Sequence, residues 1–155
     1  MAKFKKDGNK ETPAISTASL TDIVFMLLFF FMVSTTMREV ELKIKVKVPG
    51  ASEVQKLEKK SLASNIYIGE PLKIYQKSMG TEPLIQLNDQ FATKEKIMDY
   101  IAQEREARPE EKRGFMITNL KIDKDCKMGI VTDVKQELRK CNALRIYYCA
   151  KKAKK

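Results

Sequence analysis

Residues 12–37 read TPAISTASLTDIVFMLLFFFMVSTTM, a run of 26 residues with one charged side chain, Asp22. A helix of this length extends ~39 Å, which exceeds the ~30 Å hydrocarbon thickness of a bilayer. Thr12 and Pro13 suit the N-cap and the first helical position, because proline there loses no helical hydrogen bond. Residues 12–37 are therefore predicted to form a transmembrane helix, and the rest of the chain is interpreted around it.

A cleaved signal peptide is the competing interpretation, because lysines precede the stretch and its core, 23–33, has a suitable length. However, the residues that follow the core, Ser34-Thr35-Thr36-Met37, offer no A-x-A-like cleavage site. Asp22 also lies directly before the core. An uncleaved single-pass anchor fits these residues better.

Asp22 is the candidate functional residue of the stretch. Symmetric placement of residues 12–37 puts it well inside the bilayer, where a carboxylate costs ~2.5–3.5 kcal/mol and usually faces a helix bundle or a water path. Small and bulky residues at helical spacing share its face and are predicted to pack against a partner helix or face a pore: Ala18, Ser19, Phe25, Met26 and Phe29. The alternative is a capping-box start at 19–22, which leaves a ~27 Å span and places Asp22 at the membrane edge.

Residues 38–64 begin with a strict alternation of apolar and charged side chains. The apolar positions are Val40, Leu42, Ile44, Val46 and Val48. This period-two pattern predicts a strand that ends at Pro49-Gly50, followed by a polar tether up to residue 64. The apolar face has no partner in the tether, so we expect an edge strand that pairs with a second copy in a homodimer or with a partner's extended segment. Pairing within its own domain is the alternative.

Residues 65–150 are predicted to form a small folded domain. Its predicted strands are 66–68, 72–75, 84–87, 115–122 and 144–149, and its predicted helices are 94–108, with Thr93 as N-cap, and 128–140. Strand, helix and strand joined by short links predict a crossover in a mixed sheet. The fold class is α+β, with a single transmembrane helix followed by a small α/β domain. Residues 1–11 and 151–155 are predicted to be basic tails.

Composition narrows the function classes. The 155 residues carry a net charge of +10 and include no His, which removes the usual proton shuttle and the commonest metal ligand. The lysines are spread along the chain, so nucleic-acid binding is not predicted. Asp123-Lys124-Asp125 lacks the spaced ligands of a calcium loop and is predicted to cap a helix. Three cysteines without a CxxC pair are predicted to be small buried hydrophobes. We predict no cofactor, no metal and no enzymatic activity.

The run Ser19-Leu20-Thr21-Asp22 and the apolar residues after it resemble the transmembrane signature of the ExbD/TolR biopolymer-transport family. Residues 120–125 and 128–134 resemble the family's periplasmic domain. The layout of basic tail, single helix, tether and small α/β domain agrees over nearly the whole chain. Two departures are Ser19 in place of the usual proline and a longer stretch at 67–83. The contexts of residues 88–89 and 128–129 look most like the Bacteroidetes branch.

This resemblance implies a motor driven by the proton motive force. Asp22 would take up and release protons inside an ExbB-like (MotA/TolQ-related) pentamer, and a periplasmic domain would pass work to a TonB-like protein. It also implies the inner membrane as location, with a cytoplasmic N-terminus. Two alternatives remain: a TolR-type envelope-maintenance subunit, and a passive anchor whose domain binds peptidoglycan or a partner.

Overall fold

The computed structural model describes residues 17–36 and 39–154. The chain divides into two compact units, Met1–Glu39 and Val40–Lys155. The predicted tail 1–11 and the predicted cap at Thr12 and Pro13 lie outside the described residues.

The described residues of the first unit form one helix, α1, at Thr17–Thr36. No glycine or proline interrupts these residues, so every position can keep helical backbone geometry. An apolar window of 18 residues, Thr17–Ser34, is long enough to cross a membrane and is exposed throughout. The predicted helix is confirmed over the described residues. Ser19 lies inside the helix, so the alternative in which it caps a shorter helix is wrong.

The second unit, Val40–Lys155, is an α/β domain whose described elements alternate between strands and helices. Its strands are β1 Ile44–Lys45, β2 Gly50–Ala51, β3 Ala63–Pro71, β4 Leu84–Leu87, β5 Gln90–Ala92, β6 Ile117–Ile122, β7 Ile146–Tyr148 and β8 Lys151–Lys152. Its helices are α2 Lys73–Met79, α3 Lys96–Glu106, α4 Glu110–Arg113 and α5 Met128–Lys140, and a 3-10 turn at Lys60–Leu62 leads into β3.

The main sheet has the strand order β5-β4-β3-β6-β7, and β1 adds to the far end of β3. β3 pairs antiparallel with β4 and parallel with β6, and β6 pairs parallel with β7. The sheet is therefore mixed, as the sequence predicts. A parallel link needs a crossover, and α3 and α5 lie in the chain between the parallel strands.

The core lies between one face of this sheet and two helices. Alternate strand residues, which point to the same face, include Ile66 and Ile68 on β3 and Leu120 on β6, and all three are fully buried. α3 contributes Ile97, Tyr100 and Ile101, and α5 contributes Val131, Val134 and Leu138. These six helical residues recur three or four positions apart, as expected for one face of a helix, and all are buried.

Several boundaries predicted from the sequence are wrong. Residues 72–75 are not a strand, because β3 ends at Pro71 and α2 begins at Lys73. Thr93 is not the N-cap of α3; that position is Glu95, without a side-chain capping bond. The predicted tether and basic tail are paired, since Gly50 and Ala51 lie parallel to Lys151 and Lys152.

Residues 40–48 also differ from the prediction of one continuous strand. Only Ile44–Lys45 forms a strand, which pairs antiparallel with Pro71 and Glu70 of the same chain. The alternative of pairing within the same domain is therefore what the single chain shows. The apolar positions are not equivalent: Ile44 is 2% exposed, Leu42 is 46% exposed, and Val40, Val46 and Val48 are half-buried.

Candidate functional sites on the membrane helix and its tether

Asp22 is the sixth residue of α1 and the only charged side chain between Thr17 and Thr36. At 1.5 Å per residue it lies ~7.5 Å along the axis from Thr17 and ~21 Å from Thr36. Directly before it in the chain, the hydroxyl of Thr21 donates a hydrogen bond of 3.0 Å to the carbonyl of Thr17. This bond satisfies the hydroxyl within the helix.

The helix brings the predicted neighbours of Asp22 onto one face. With 3.6 residues per turn, Ala18, Ser19, Phe25, Met26 and Phe29 all lie within about 60° of its direction. Phe25, Met26 and Phe29 are each at least 60% exposed in the single chain. Such a continuous apolar surface needs lipid or another protein against it, and the carboxylate in its centre needs polar partners or water.

The thiols do not form a chemical site. All three are free and half-buried. Burial raises the pKa of the Cys126 thiol, with Asp123 adding to the effect, and burial also raises the pKa of the Cys141 thiol. The Cys149 thiol donates to the side-chain oxygen of Asn119 at 3.2 Å. Among residues 17–36 and 39–154, no three potential metal ligands lie close enough to hold an ion.

A second candidate site is the segment of residues 41–47, which we call the strap. The Gln86 amide binds it from β4: its oxygen accepts the Lys43 N–H at 2.9 Å, and its nitrogen donates to the Glu41 carbonyl at 2.7 Å. The same nitrogen also donates to the Asn88 carbonyl at 2.7 Å. Gln86 is fully buried, so its amide forms hydrogen bonds with the strap backbone instead of with water.

Asp123 holds the other end of the strap. Its carboxylate accepts the Lys47 N–H at 2.6 Å, and the next residue, Lys124, donates its own N–H to the Lys47 carbonyl at 2.9 Å. The predicted role of Asp123 as a helix cap is wrong, since α5 begins after Lys127 and has no side-chain cap. Asp123 instead fixes the backbone of a segment 76 residues earlier in the chain.

The strap lies so close to β3 that only glycine fits beneath it. A Cβ atom on Gly69 would be 2.6 Å from the Lys45 carbonyl oxygen and 2.9 Å from a methyl group of Ile44. Real Cβ atoms essentially never approach other atoms within 3.0 Å. Gly69 is thus required by the close approach of the two backbones, and Ile44 packs directly over it.

A cleft of about 530 Å³ lies beside β7, the last strand in the order of the main sheet. Residues 54–59 form one wall, and the other includes Asn119, Arg145, Tyr147 and Cys149. Tyr147 is half exposed, and Arg145 stacks over the Phe115 ring at 5.5 Å. The cleft therefore combines an aromatic ring, a guanidinium group and amide groups beside a sheet edge.

The sequence pattern points to Asp22 and its helical neighbours as a candidate site and to the wrong role for Asp123, whereas Gln86 and Gly69 were not predicted. Gln86 is a polar residue in the buried run Ile85-Gln86-Leu87, which is a weak signal for a satisfied internal amide. Gly69 inside a strand pattern is a signal for close backbone approach. Neither signal identifies the segment that makes the contact.

These features define a class: a membrane-anchored protein with one apolar helix that carries a single carboxylate, followed by a small α/β domain. Residues 8–152 match the family described as "Biopolymer transport protein ExbD/TolR". The chain belongs to the ExbD/TolR family, as the resemblance predicts. No curated protein and no solved structure gives a significant match. Family members are membrane-anchored transport accessory proteins that generally work with ExbB/TolQ-type partners.

Proposed function

We propose that this chain is the proton-carrying subunit of an ExbB–ExbD-type motor that energises TonB-dependent transport across the outer membrane. The observation that carries the proposal is Asp22, a lone acid in an exposed apolar helix that contains no other charge. Family membership supports a transport subunit, and the position of Asp22 supports its role as the group that gains and loses a proton.

The physics of the site favours a moving proton. A carboxylate in a hydrophobic environment is costly when charged, and it becomes tolerable when it is neutral or when polar groups and water surround it. Each proton that crosses the membrane releases ~2.3 kcal/mol per 100 mV of potential. One reversible acid, alternately shielded and hydrated by a surrounding protein, is therefore sufficient to couple proton flow to movement.

The partner surface follows from the face of Asp22. Ala18 and Ser19 are small enough to let a neighbouring helix approach, while Phe25, Met26 and Phe29 offer a bulky apolar surface one to two turns later. We propose that this face lies against the pore of an ExbB-like pentamer, which supplies the polar groups that lipid lacks. A second copy of α1 in the same pore would make the homodimer that the resemblance implies.

The orientation is proposed from the family rather than from charge. Four lysines precede the helix, and Arg38, Lys43, Lys45 and Lys47 follow it, so the positive-inside rule gives nearly a tie. We place the N-terminus in the cytoplasm and the α/β domain in the periplasm. The edge of β7 and its adjoining cleft are the surface best suited to an extended segment of a TonB-like partner, because an edge strand offers backbone pairing and the cleft offers side-chain pockets.

The test is Asp22→Asn in the full chain, expressed with its cognate partners. We expect loss of transport that depends on the proton motive force, at unchanged protein level and membrane insertion, because the amide has nearly the same size but carries no titratable proton. Asp22→Glu keeps the acid but moves it, and we expect partial function at best. The matched control is Asp133→Asn, the same chemical change at an exposed surface ion pair with Lys94, which we expect to be silent.

Full activity of Asp22→Asn would contradict the motor and favour the passive anchor, which needs no ionisable group in its helix. The TolR-type alternative predicts the same dependence on Asp22. It differs in phenotype, because envelope integrity would fail in Asp22→Asn cells while TonB-dependent uptake would continue.

A further inference from the structure

The strap of residues 41–47 begins five residues after the end of α1, and its hydrogen bonds are of a kind that water can replace. Side-chain amide and carboxylate groups of Gln86, Asp89 and Asp123 bind its backbone; Asp89 accepts the Glu41 N–H at 2.9 Å. Only two residues of the strap, Ile44 and Lys45, form a ladder with β3. Side chains thus bind the strap at Glu41, Lys43 and Lys47, and backbone bonds from Leu72 and Lys124 to the Lys43 and Lys47 carbonyls add to the short ladder.

The apolar part of the docking is small. Ile44 is the one fully buried side chain between residues 40 and 48, whereas Leu42 is nearly half exposed and Lys45 and Lys47 remain in water. Undocking therefore exposes one fully buried apolar side chain, Ile44, and the buried parts of Leu42 and Val46. The released hydrogen-bonding groups of Gln86 and Asp123 gain water in exchange for the strap backbone. The hydrophobic core between α3, α5 and the main sheet contains no strap residue.

We propose that the strap is a releasable tether: it is docked when the chain is slack, and it leaves the sheet when movement of the membrane helix pulls on it. This inference rests on the proposed motor and describes how its movement would reach the α/β domain. The residues that contact the strap form its receptor surface: Gln86, Asp89, Asp123 and Gly69. The extended segment that this surface binds belongs to the same chain.

Release changes the reach of the domain by a calculable amount. With the strap docked, Glu41 is the first of the described residues 39–154 with a hydrogen bond to the sheet domain, and the five residues from Thr36 to Glu41 span at most ~17 Å at ~3.4 Å per residue. With the strap released, the next fixed point is Gly50, which pairs with Lys151, and fourteen residues span ~48 Å. Undocking therefore extends the maximum reach by ~30 Å without unfolding the main sheet or its helices.

The experiment measures the accessibility of residue 44 in energised cells. Ile44→Cys is introduced into the full chain with Cys126, Cys141 and Cys149 replaced by serine, and a membrane-impermeant maleimide is added to cells whose outer membrane admits it. The thiol at this position is covered in the docked state and accessible after release. We expect labelling to be severalfold faster with Asp22 than in the same background carrying Asp22→Asn.

Two controls bracket the measurement. Ile66→Cys, at a position fully buried in the centre of β3, should label slowly in both backgrounds, and Leu42→Cys, at an exposed strap position, should label fast in both. Equal and slow labelling of Ile44→Cys in both backgrounds overturns the proposal because the strap then never opens. Equal and fast labelling also overturns it, since the strap is then not docked.

A second arm tests whether release is needed for work. Lys45 and Glu70 are directly opposite in the β1–β3 register, and both are exposed. The Cα separation of opposite antiparallel residues falls within disulfide range. Lys45→Cys with Glu70→Cys should lose transport when oxidised and regain it on reduction, while each single variant stays active. Full transport in the oxidised double variant refutes strap release but leaves the motor untouched, whereas an active Asp22→Asn protein refutes the motor.

Discussion

Gly69→Ala is the sharpest test of strap docking, because it adds one methyl group at the point of closest approach. The new Cβ would lie 2.6 Å from the Lys45 carbonyl oxygen and 3.2 Å from the Asp123 Cβ. The first obstacle is a backbone atom, which cannot rotate away as a side chain does, so β1 must move off β3. Overpacking of this kind costs ~1–3 kcal/mol, and we expect a value in the upper half of that range.

The measurement is thermal unfolding of the detergent-solubilised protein. The chain has no Trp, and its five Tyr residues all belong to the Val40–Lys155 unit, so the near-ultraviolet tyrosine signal reports on that unit. A loss of ~2–3 kcal/mol in a domain of this size lowers Tm by roughly 10 °C. Limited proteolysis should also cut residues 41–47 faster while the rest of the domain resists.

The matched control is Gly129→Ala. Gly129 lies in the first turn of α5, and a Cβ there meets no atom within 4 Å. This variant should be neutral or more stable by up to ~1 kcal/mol, because alanine is the better helix former. If Gly69→Ala unfolds within a degree or two of the parent protein, the strap does not lie on Gly69 and the receptor surface is misassigned.

Two further predictions concern pH and topology. Burial raises the pKa of Tyr100, whose hydroxyl donates to the Asn65 carbonyl at 3.2 Å, so its contribution to stability is complete below pH ~10 and is lost as the pH rises further. Tyr100→Phe should therefore lower the free energy of unfolding by ~1 kcal/mol at pH 7, because it loses this hydrogen bond. Between pH 9 and 11, chemical unfolding should show a smaller further loss of stability for Tyr100→Phe than for the parent protein. An equal loss in both proteins would contradict the assignment of the alkaline loss to Tyr100. Protease added to spheroplasts should degrade residues 39–154 and spare the N-terminal tail, whereas protection of the domain would reverse the proposed orientation.

The elements that the sequence predicts correctly are those whose pattern is decided locally. The uncharged stretch around Asp22 predicts a helix because only a helix satisfies its own backbone groups in lipid. The apolar residues of α3 and α5 recur at helical spacing, so their buried faces follow from period alone. The candidate site on α1 is equally local, since residues three, four and seven apart share a face of any helix.

The elements that were missed depend on contacts between distant parts of the chain. Residues 72–75 contain the β-branched and aromatic residues of a strand, yet Pro71 ends β3 and the chain turns into α2. Gly50 and Ala51 pair with Lys151 and Lys152, a register that no local pattern encodes. The same holds for Gln86 and Asp123, whose partners lie more than 40 residues earlier in the chain.

The burial of each position in residues 40–48 shows that the alternating pattern does not form a regular sheet strand. A strand built into a sheet would bury its whole apolar face, but here one residue, Ile44, is buried completely, and the backbone on either side is bound by Gln86 and Asp123. Alternation keeps the segment extended, which places the N–H groups of Lys43 and Lys47 where the amide and the carboxylate can accept them. Lys45 and Lys47, which alternate with the apolar positions, are exposed and discourage permanent stacking against another edge. The pattern therefore specifies an extended segment with one fully buried apolar residue, Ile44, which is consistent with a reversible attachment.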